Sequence, residues 1–142
     1  MVTRRRKPPT TQRAFMSAWG ELDYLCKKAR YWLYVRRQRT RARLYLHRLE
    51  SVLRQLPENE LAIIREEGWA LVCELKNQRP QAIAHRAREI ELMERLHKDA
   101  MSTRYTDATR AYMLRDRDEA ALHERREILE TLKNGNGRPT AP

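Results

Sequence analysis

Between Tyr24 and Leu49 the chain runs YLCKKARYWLYVRRQRTRARLYLHRL, 26 residues with nine basic side chains and no acidic one. No other stretch limits the fold so strongly. Lys27, Lys28, Arg30, Arg36, Arg37, Arg39, Arg41, Arg43 and Arg48 repel one another, so carboxylates from elsewhere in the chain, or an anionic ligand, must lie against them. Tyr24, Tyr31, Trp32, Tyr34 and Tyr45 are interleaved with these charges, and their rings can stack on bases or fill a helical core.

The excess charge is concentrated. Residues 1–49 carry 14 Lys/Arg against Glu21 and Asp23, whereas residues 50–142 carry 16 Lys/Arg against 17 Asp/Glu. Charge added for solubility alone would be spread, and a concentrated excess marks a face built for an anion. Nucleic acid is the first candidate, followed by an acidic protein or an anionic membrane surface. Arginine outnumbers lysine 24 to 6, which suits planar, bidentate contact with phosphate.

The apolar residues recur at helical spacing. Phe15, Trp19, Leu22, Cys26, Ala29 and Leu33 follow steps of three and four, as do Ala42, Leu46, Leu49, Leu53 and Leu56. The two stripes are out of phase, because the nine positions from Leu33 to Ala42 amount to half a turn at about 100° per residue. Either the chain breaks near Gln38 to Thr40 or one long helix shows different faces to different neighbours. With no Gly or Pro between Glu21 and Leu56, a continuous, kinked helix is expected. Gly20 weakens that helix and offers room for another to approach.

Pro57 ends the first helix and predicts a helical hairpin, with Glu58 and Glu60 opening the second helix. That helix turns Leu61, Ile64, Gly68, Leu71 or Val72 and Leu75 inward. A third begins after Pro80 and is expected to bury Ile83, Ala87, Ile90, Met93 or Glu94, Leu96 or His97, and Met101. Ser102, Thr103 and Thr106 form a soft spot, with Thr106 a candidate cap. Beyond it a fourth helix, or a continuation of the third, carries Ala108, Ala111, Leu114, Ala121, Leu122, Ile128, Leu129 and Leu132 to Lys133. The expected fold is all-α: an antiparallel bundle of three to four helices over residues 11–133, between a disordered basic arm (1–10) and a disordered tail (134–142). Because a lone hairpin would leave one stripe of the first helix wet, a homodimer is expected.

Lys27, Arg30, Tyr34, Arg37, Arg41 and Arg48, at steps of three, four and seven, share one face of a continuous helix. Their row spans roughly 30 Å, close to one duplex turn, and could meet several phosphates. Arg36, Arg39 and Arg43 flank it, and Arg4, Arg5, Arg6 and Lys7 of the basic arm extend the candidate nucleic-acid surface, RNA or DNA. The bland alternative is a solvated face balanced by carboxylates of neighbouring helices. Most of Tyr31, Trp32 and Tyr34 are expected in the core, since they lie where the buried face changes side.

No cofactor or metal is called for. Glu94 and His97 supply one Glu-x-x-His where a di-iron bundle uses two, and His47, His85 and His123 show no zinc spacing with either cysteine. Cys26 and Cys73 read as reduced core residues, which suits an intracellular protein, cytoplasmic or nucleoid, or nuclear in a eukaryote. No run approaches the ~18 apolar residues of a membrane span.

The function expected is non-catalytic, backbone-directed binding of nucleic acid with little sequence specificity. An adaptor or oligomeric scaffold docking an acidic protein is the alternative. A third reading is enzymatic: Arg117 to His123, with Asp118 beside the arginine, resembles the Arg-x4–6-His motif of HEPN-type ribonucleases, helical bundles of about this size. Arg41 to His47 and Arg79 to His85 share the spacing, so the motif singles out no site.

Overall fold

The computed structural model describes residues 11–57 and 62–135, with side chains from residue 18 onward. Arg4 to Lys7 of the basic arm, the Phe15 side chain, Glu58 to Leu61 and the tail beyond Gly135 lie outside the described residues. Among the described residues every regular element is helical: α1 (Thr11–Arg30), a π-helical turn (Tyr31–Val35), α2 (Arg39–Arg43), α3 (Leu46–Gln55), α4 (Ala62–Leu75), α5 (Arg79–Ala100), α6 (Asp107–Met113) and α7 (Glu119–Asn134). The all-helical class is as expected, but three to four helices is too few.

The main correction falls in the basic stretch, where the expected long first helix is interrupted. A continuous helix would have to turn one of its two out-of-phase stripes to solvent. Instead α1 widens into the π turn, the Arg36 N–H donates to the Tyr31 carbonyl at 3.0 Å, and the Gln38 N–H donates to the Trp32 carbonyl at 2.7 Å. Arg37 takes a left-handed conformation, φ 51°. The half turn of phase is absorbed there, and Leu22, Cys26, Ala29 and Leu33 join Ala42, Leu49, Leu53 and Leu56 in one core cluster. The described members of both stripes thus meet within a single chain.

Prolines and caps set the remaining boundaries. α3 ends at Gln55, just before Pro57, and α4 packs back along it: Glu50 reaches Lys76 while Leu53 meets Gly68. Those matched positions make the pair antiparallel, as the hairpin expectation had it. Asn77, at φ 62°, turns the chain into α5, whose first turn holds Pro80. α6 starts where expected, with the Thr106 hydroxyl accepting the Thr109 N–H at 3.1 Å. The fourth helix is nevertheless two, because α7 begins afresh under a second cap, Asp118 to the Ala121 N–H at 2.9 Å. Gly135, at φ 64°, closes α7, whose last carbonyls also accept from Arg79, Nε to Leu132 at 2.6 Å and Nη2 to Lys133 at 2.9 Å.

On α5 the buried face is rotated from the one expected. Ala82, Arg86, Glu89, Met93 and Ala100 are buried with Ile90, whereas Ala87 and Met101 are exposed and Ile83 is half-buried. Two charged side chains occupy positions that an apolar stripe cannot reveal. On the last segments Leu122, Ile128 and Leu132 are buried as expected, while Ala108 and Ala111 are exposed. Cys26 and Cys73 are both buried and free. No helix among the described residues is long and apolar enough to cross a membrane.

The two helical glycines differ. A β-carbon on Gly20 would meet nothing within 4 Å, so the close approach expected there does not occur, whereas one on Gly68 would fall 2.8 Å from Leu53 Cδ2 and 3.3 Å from Leu22 Cδ1. Gly20→Ala should therefore raise stability by up to about 1 kcal/mol through helix propensity. Gly68→Val should lower it by roughly 2 kcal/mol or more through overpacking. Urea unfolding of both variants measures this, and equal effects would contradict the packing described.

Candidate nucleic-acid interface

The structure divides the basic segment between the inside and the outside of the protein. Arg30, on the last turn of α1, points inward: its Nη1 lies 2.6 Å from Glu67 Oε2 on α4 and its Nε 3.5 Å from Glu124 Oε1 on α7. Lys27 pairs with Asp23 at 3.0 Å and Asp116 at 3.8 Å. The Tyr34 hydroxyl donates to Glu74, Arg48 pairs with Glu21, and Arg39 donates to the Glu74 carbonyl and, at 2.6 Å, to Asn77 Oδ1. Arg37, at the break, is exposed and lines a cavity of about 140 Å³ with Arg39, Arg79 and Glu74. The six side chains read as one face of one helix therefore do not share one solvent face.

The remainder stay outside. Arg36 and Arg43 are exposed and have no carboxylate partner among the described residues. Arg41 is exposed with its guanidinium carbon 4.8 Å from the Trp32 ring centroid, and the Lys28 ammonium is 5.7 Å from that of Tyr24. Both are cation–π placements, which hold a cation in position without neutralising it. Trp32 and Tyr34 pack partly buried against the core, as expected, while Tyr31 is exposed.

Arg30 is drawn inward by a buried charge network that apolar patterning did not reveal. Arg86 is wholly buried, with Nη1 2.7 Å from Glu89 Oε1 and 3.1 Å from Glu67 Oε2. Arg125 brings its Nε to 3.1 Å from both Glu67 and Glu89, and also pairs with Glu124. Burial alone would raise the Glu67 pKa, but Arg125, Arg30 and Arg86 together hold it down at about 2. Burial pushes Glu89 up, Arg86 and Arg125 opposing it. Burial, with Glu67 adding to it, lifts the Cys26 thiol well above its ordinary value, so it stays protonated. The sequence signal for this network was Ala82, Arg86, Glu89 and Met93 at steps of four, three and four, a core stripe with two charges in it.

The other candidate sites come apart. Arg117 lines a cavity with Arg125 and Glu124, whereas His123 pairs with Glu127 at 2.9 Å on an exposed face. Glu94 is taken by Arg126 at 2.7 Å, and His97 lies against the Arg117 carbonyl. No cluster of three or more His, Cys, Asp or Glu suited to a metal occurs among the described residues. No protein-family model, curated protein or solved structure matches the chain.

Two carboxylates give predictions of opposite sign. Burial raises Glu74 to about 7 against the opposing pull of Arg86, so the folded state holds this proton more tightly than the unfolded chain does. Its stabilising contribution is complete below the ordinary pKa of 4.5 and disappears as pH rises through about 7. Glu74→Gln should thus match the parent near pH 4.5 and exceed it at pH 8, by up to about 3 kcal/mol. Glu67, held low, stabilises above 4.5 and loses that contribution as pH falls through about 2. Glu67→Ala, which strands three guanidiniums, should cost about 3 kcal/mol or more at neutral pH. Chemical unfolding of the parent and both variants at the two pH values reads each effect.

Proposed function

We propose that this chain is a non-catalytic nucleic-acid-binding protein that holds the phosphate backbone through the outward cations of the basic segment. The observation that carries the reading is that Arg36 and Arg43 stay exposed with no carboxylate partner among the described residues, while Lys28 and Arg41 are steadied over rings rather than neutralised. An acid-free stretch cannot balance these charges locally. The protein's own carboxylates pair instead with the inward Arg30 and with Lys27 and Arg48, which are exposed but paired. Guanidinium groups left in solvent beside aromatic rings are suited to phosphate oxygens and base faces together.

The break at Arg36 to Gln38 also changes the geometry of contact. Cations before and after it lie on separate short elements and not along one straight rod, so the surface matches a bent or irregular backbone better than a groove followed over one duplex turn. The basic arm, Arg4 to Lys7, would add charge to the same ligand, and its contribution is part of the proposal. An acidic protein is the alternative partner, favoured by the exposed apolar side chains Val35 and Leu44 beside the cations.

Fluorescence anisotropy with a labelled oligonucleotide tests the proposal. Affinity should fall steeply as salt rises, because each phosphate contact releases counterions. Arg36→Glu with Arg43→Glu should weaken binding at least tenfold and flatten the salt slope by about one unit per lost contact, with helicity unchanged. Arg88→Glu with Arg95→Glu, on the balanced outer face of α5, should leave binding as it was. Undiminished binding by the first pair would overturn the assignment, and a blank assay at physiological salt would favour the acidic-protein partner.

A further inference from the structure

The side of a surface helix turned away from the core ordinarily carries charges spaced to pair with one another. On α1 that side carries Gly20, Tyr24 and Lys28, at steps of four, and Tyr31 and Val35 continue it in the π turn. All five are exposed, Tyr24 by 54%, Tyr31 by 42% and Val35 by 63%. The opposite stripe, Leu22, Cys26, Ala29 and Leu33, supplies the core contacts. The two tyrosine rings therefore lie outside the core, on a stripe that an unoccupied surface would be expected to give to Glu and Lys.

Their setting restrains them without covering them. Tyr31 stands edge-on to Trp32, with ring centroids 5.3 Å apart and planes at 77°, and Arg41 lies over the same Trp32. Lys28 lies between the two tyrosines in sequence and stands against the Tyr24 ring. The tyrosines are two helical turns apart, about 10 Å, roughly three steps of a strand stacked at about 3.4 Å.

Resting on the nucleic-acid reading above, we infer that this stripe is a stacking platform for unpaired nucleotides. Tyr24 and Tyr31 take base faces, while Lys28 and the neighbouring Arg36 hold the phosphates between them. Charge decides against a second copy of the chain: from Tyr24 onward the stripe belongs to a stretch with no acidic residue, so laying that part on its own copy would bring like charges together. Base pairing decides against a duplex, whose base faces are already stacked inside. An unpaired strand offers both what the cations need and what the rings need.

The experiment compares three probes on the full chain: a 12-nucleotide oligothymidylate, a duplex of equal length, and inorganic polyphosphate, which has charge but no bases. The parent should prefer the single strand to the duplex. Tyr24→Ala with Tyr31→Ala should lower single-strand affinity roughly tenfold or more, since each stacked ring contributes at least several-fold. Polyphosphate affinity should not follow, and the Tyr→Phe pair should restore single-strand binding. Circular dichroism checks that both pairs remain folded, as exposed rings allow. Equal losses for oligothymidylate and polyphosphate, or a parent that binds duplex as tightly as single strand, would overturn the stacking platform while leaving backbone binding intact. Failure of the parent to bind any of the three probes would overturn the nucleic-acid reading itself, and the inference with it.

Discussion

Glu67 is the point on which the architecture closes. One carboxylate on α4 receives Arg30 from α1, Arg86 from α5 and Arg125 from α7, so four helices meet at a single buried anion. Such a centre contributes less to net stability than its short distances suggest, because desolvating each ion costs several kcal/mol. Its stronger effect is on register. Sliding any one of the four helices by a turn would leave a guanidinium or a carboxylate buried without its counterpart, and that error costs far more than a misplaced leucine. Glu89 provides the second anion, and Glu124 closes the edge where Arg30 and Arg125 approach the surface.

This centre explains why the basic segment cannot be treated as a uniform cationic rod. Arg30 is consumed by the core, which fixes the last turn of α1. Beyond that turn the chain has to bring Ala42 and Leu49 to the same core from half a turn away. The π turn and the left-handed Arg37 perform that rotation within a few residues. The price is a break where the sequence shows neither glycine nor proline. Around that break Arg39 and Tyr34 are tied to Glu74 on α4 and Arg39 also to Asn77 in the turn that follows it, so the interruption is braced by polar contacts as well as by the apolar residues on either side.

Part of this was legible from residue spacing. The stripes Leu22 to Leu33 and Ala42 to Leu56, the hairpin at Pro57 and the Thr106 cap each depend on local rules, periodicity and backbone hydrogen bonding, that operate in one segment at a time. The phase change between the stripes was also visible, but its resolution was not. Rigid continuation and interruption have the same sequence signature when no helix breaker is present, and only the requirement to bury both stripes in one chain selects between them. Arg86 and Glu89 were hinted at only by two charges falling in a core stripe, and Glu67 and Arg125 were hidden for a different reason. On its own helix a buried ion resembles a solvated one, and what makes it tolerable is a counter-ion on another helix, which no single-segment pattern contains. The same blindness affected the candidate site: Arg30 and Arg36 are six positions apart in a uniformly basic stretch, yet one pairs with carboxylates on two other helices and the other lies in solvent.

Surface and core are therefore two outcomes of one electrostatic problem. Among the described acidic residues of the second half of the chain, some close the buried centre and others pair along the outer faces of α5 and α7, as Glu91 does with Arg95 and Glu94 with Arg126. Among the described residues none of them pairs with Lys28, Arg36, Arg41 or Arg43, and the stretch itself contains no acid. What remains exposed there is a set of guanidinium and ammonium groups steadied by tyrosine and tryptophan. A surface selected only for solubility has no use for rings placed under its cations, since burying the rings and pairing the cations would serve stability better on both counts. Cations and rings left together in solvent would gain their full interaction if a flexible polyanion with exposed aromatic faces settled on them, and the proposed role of the outward side of α1 rests on that complementarity.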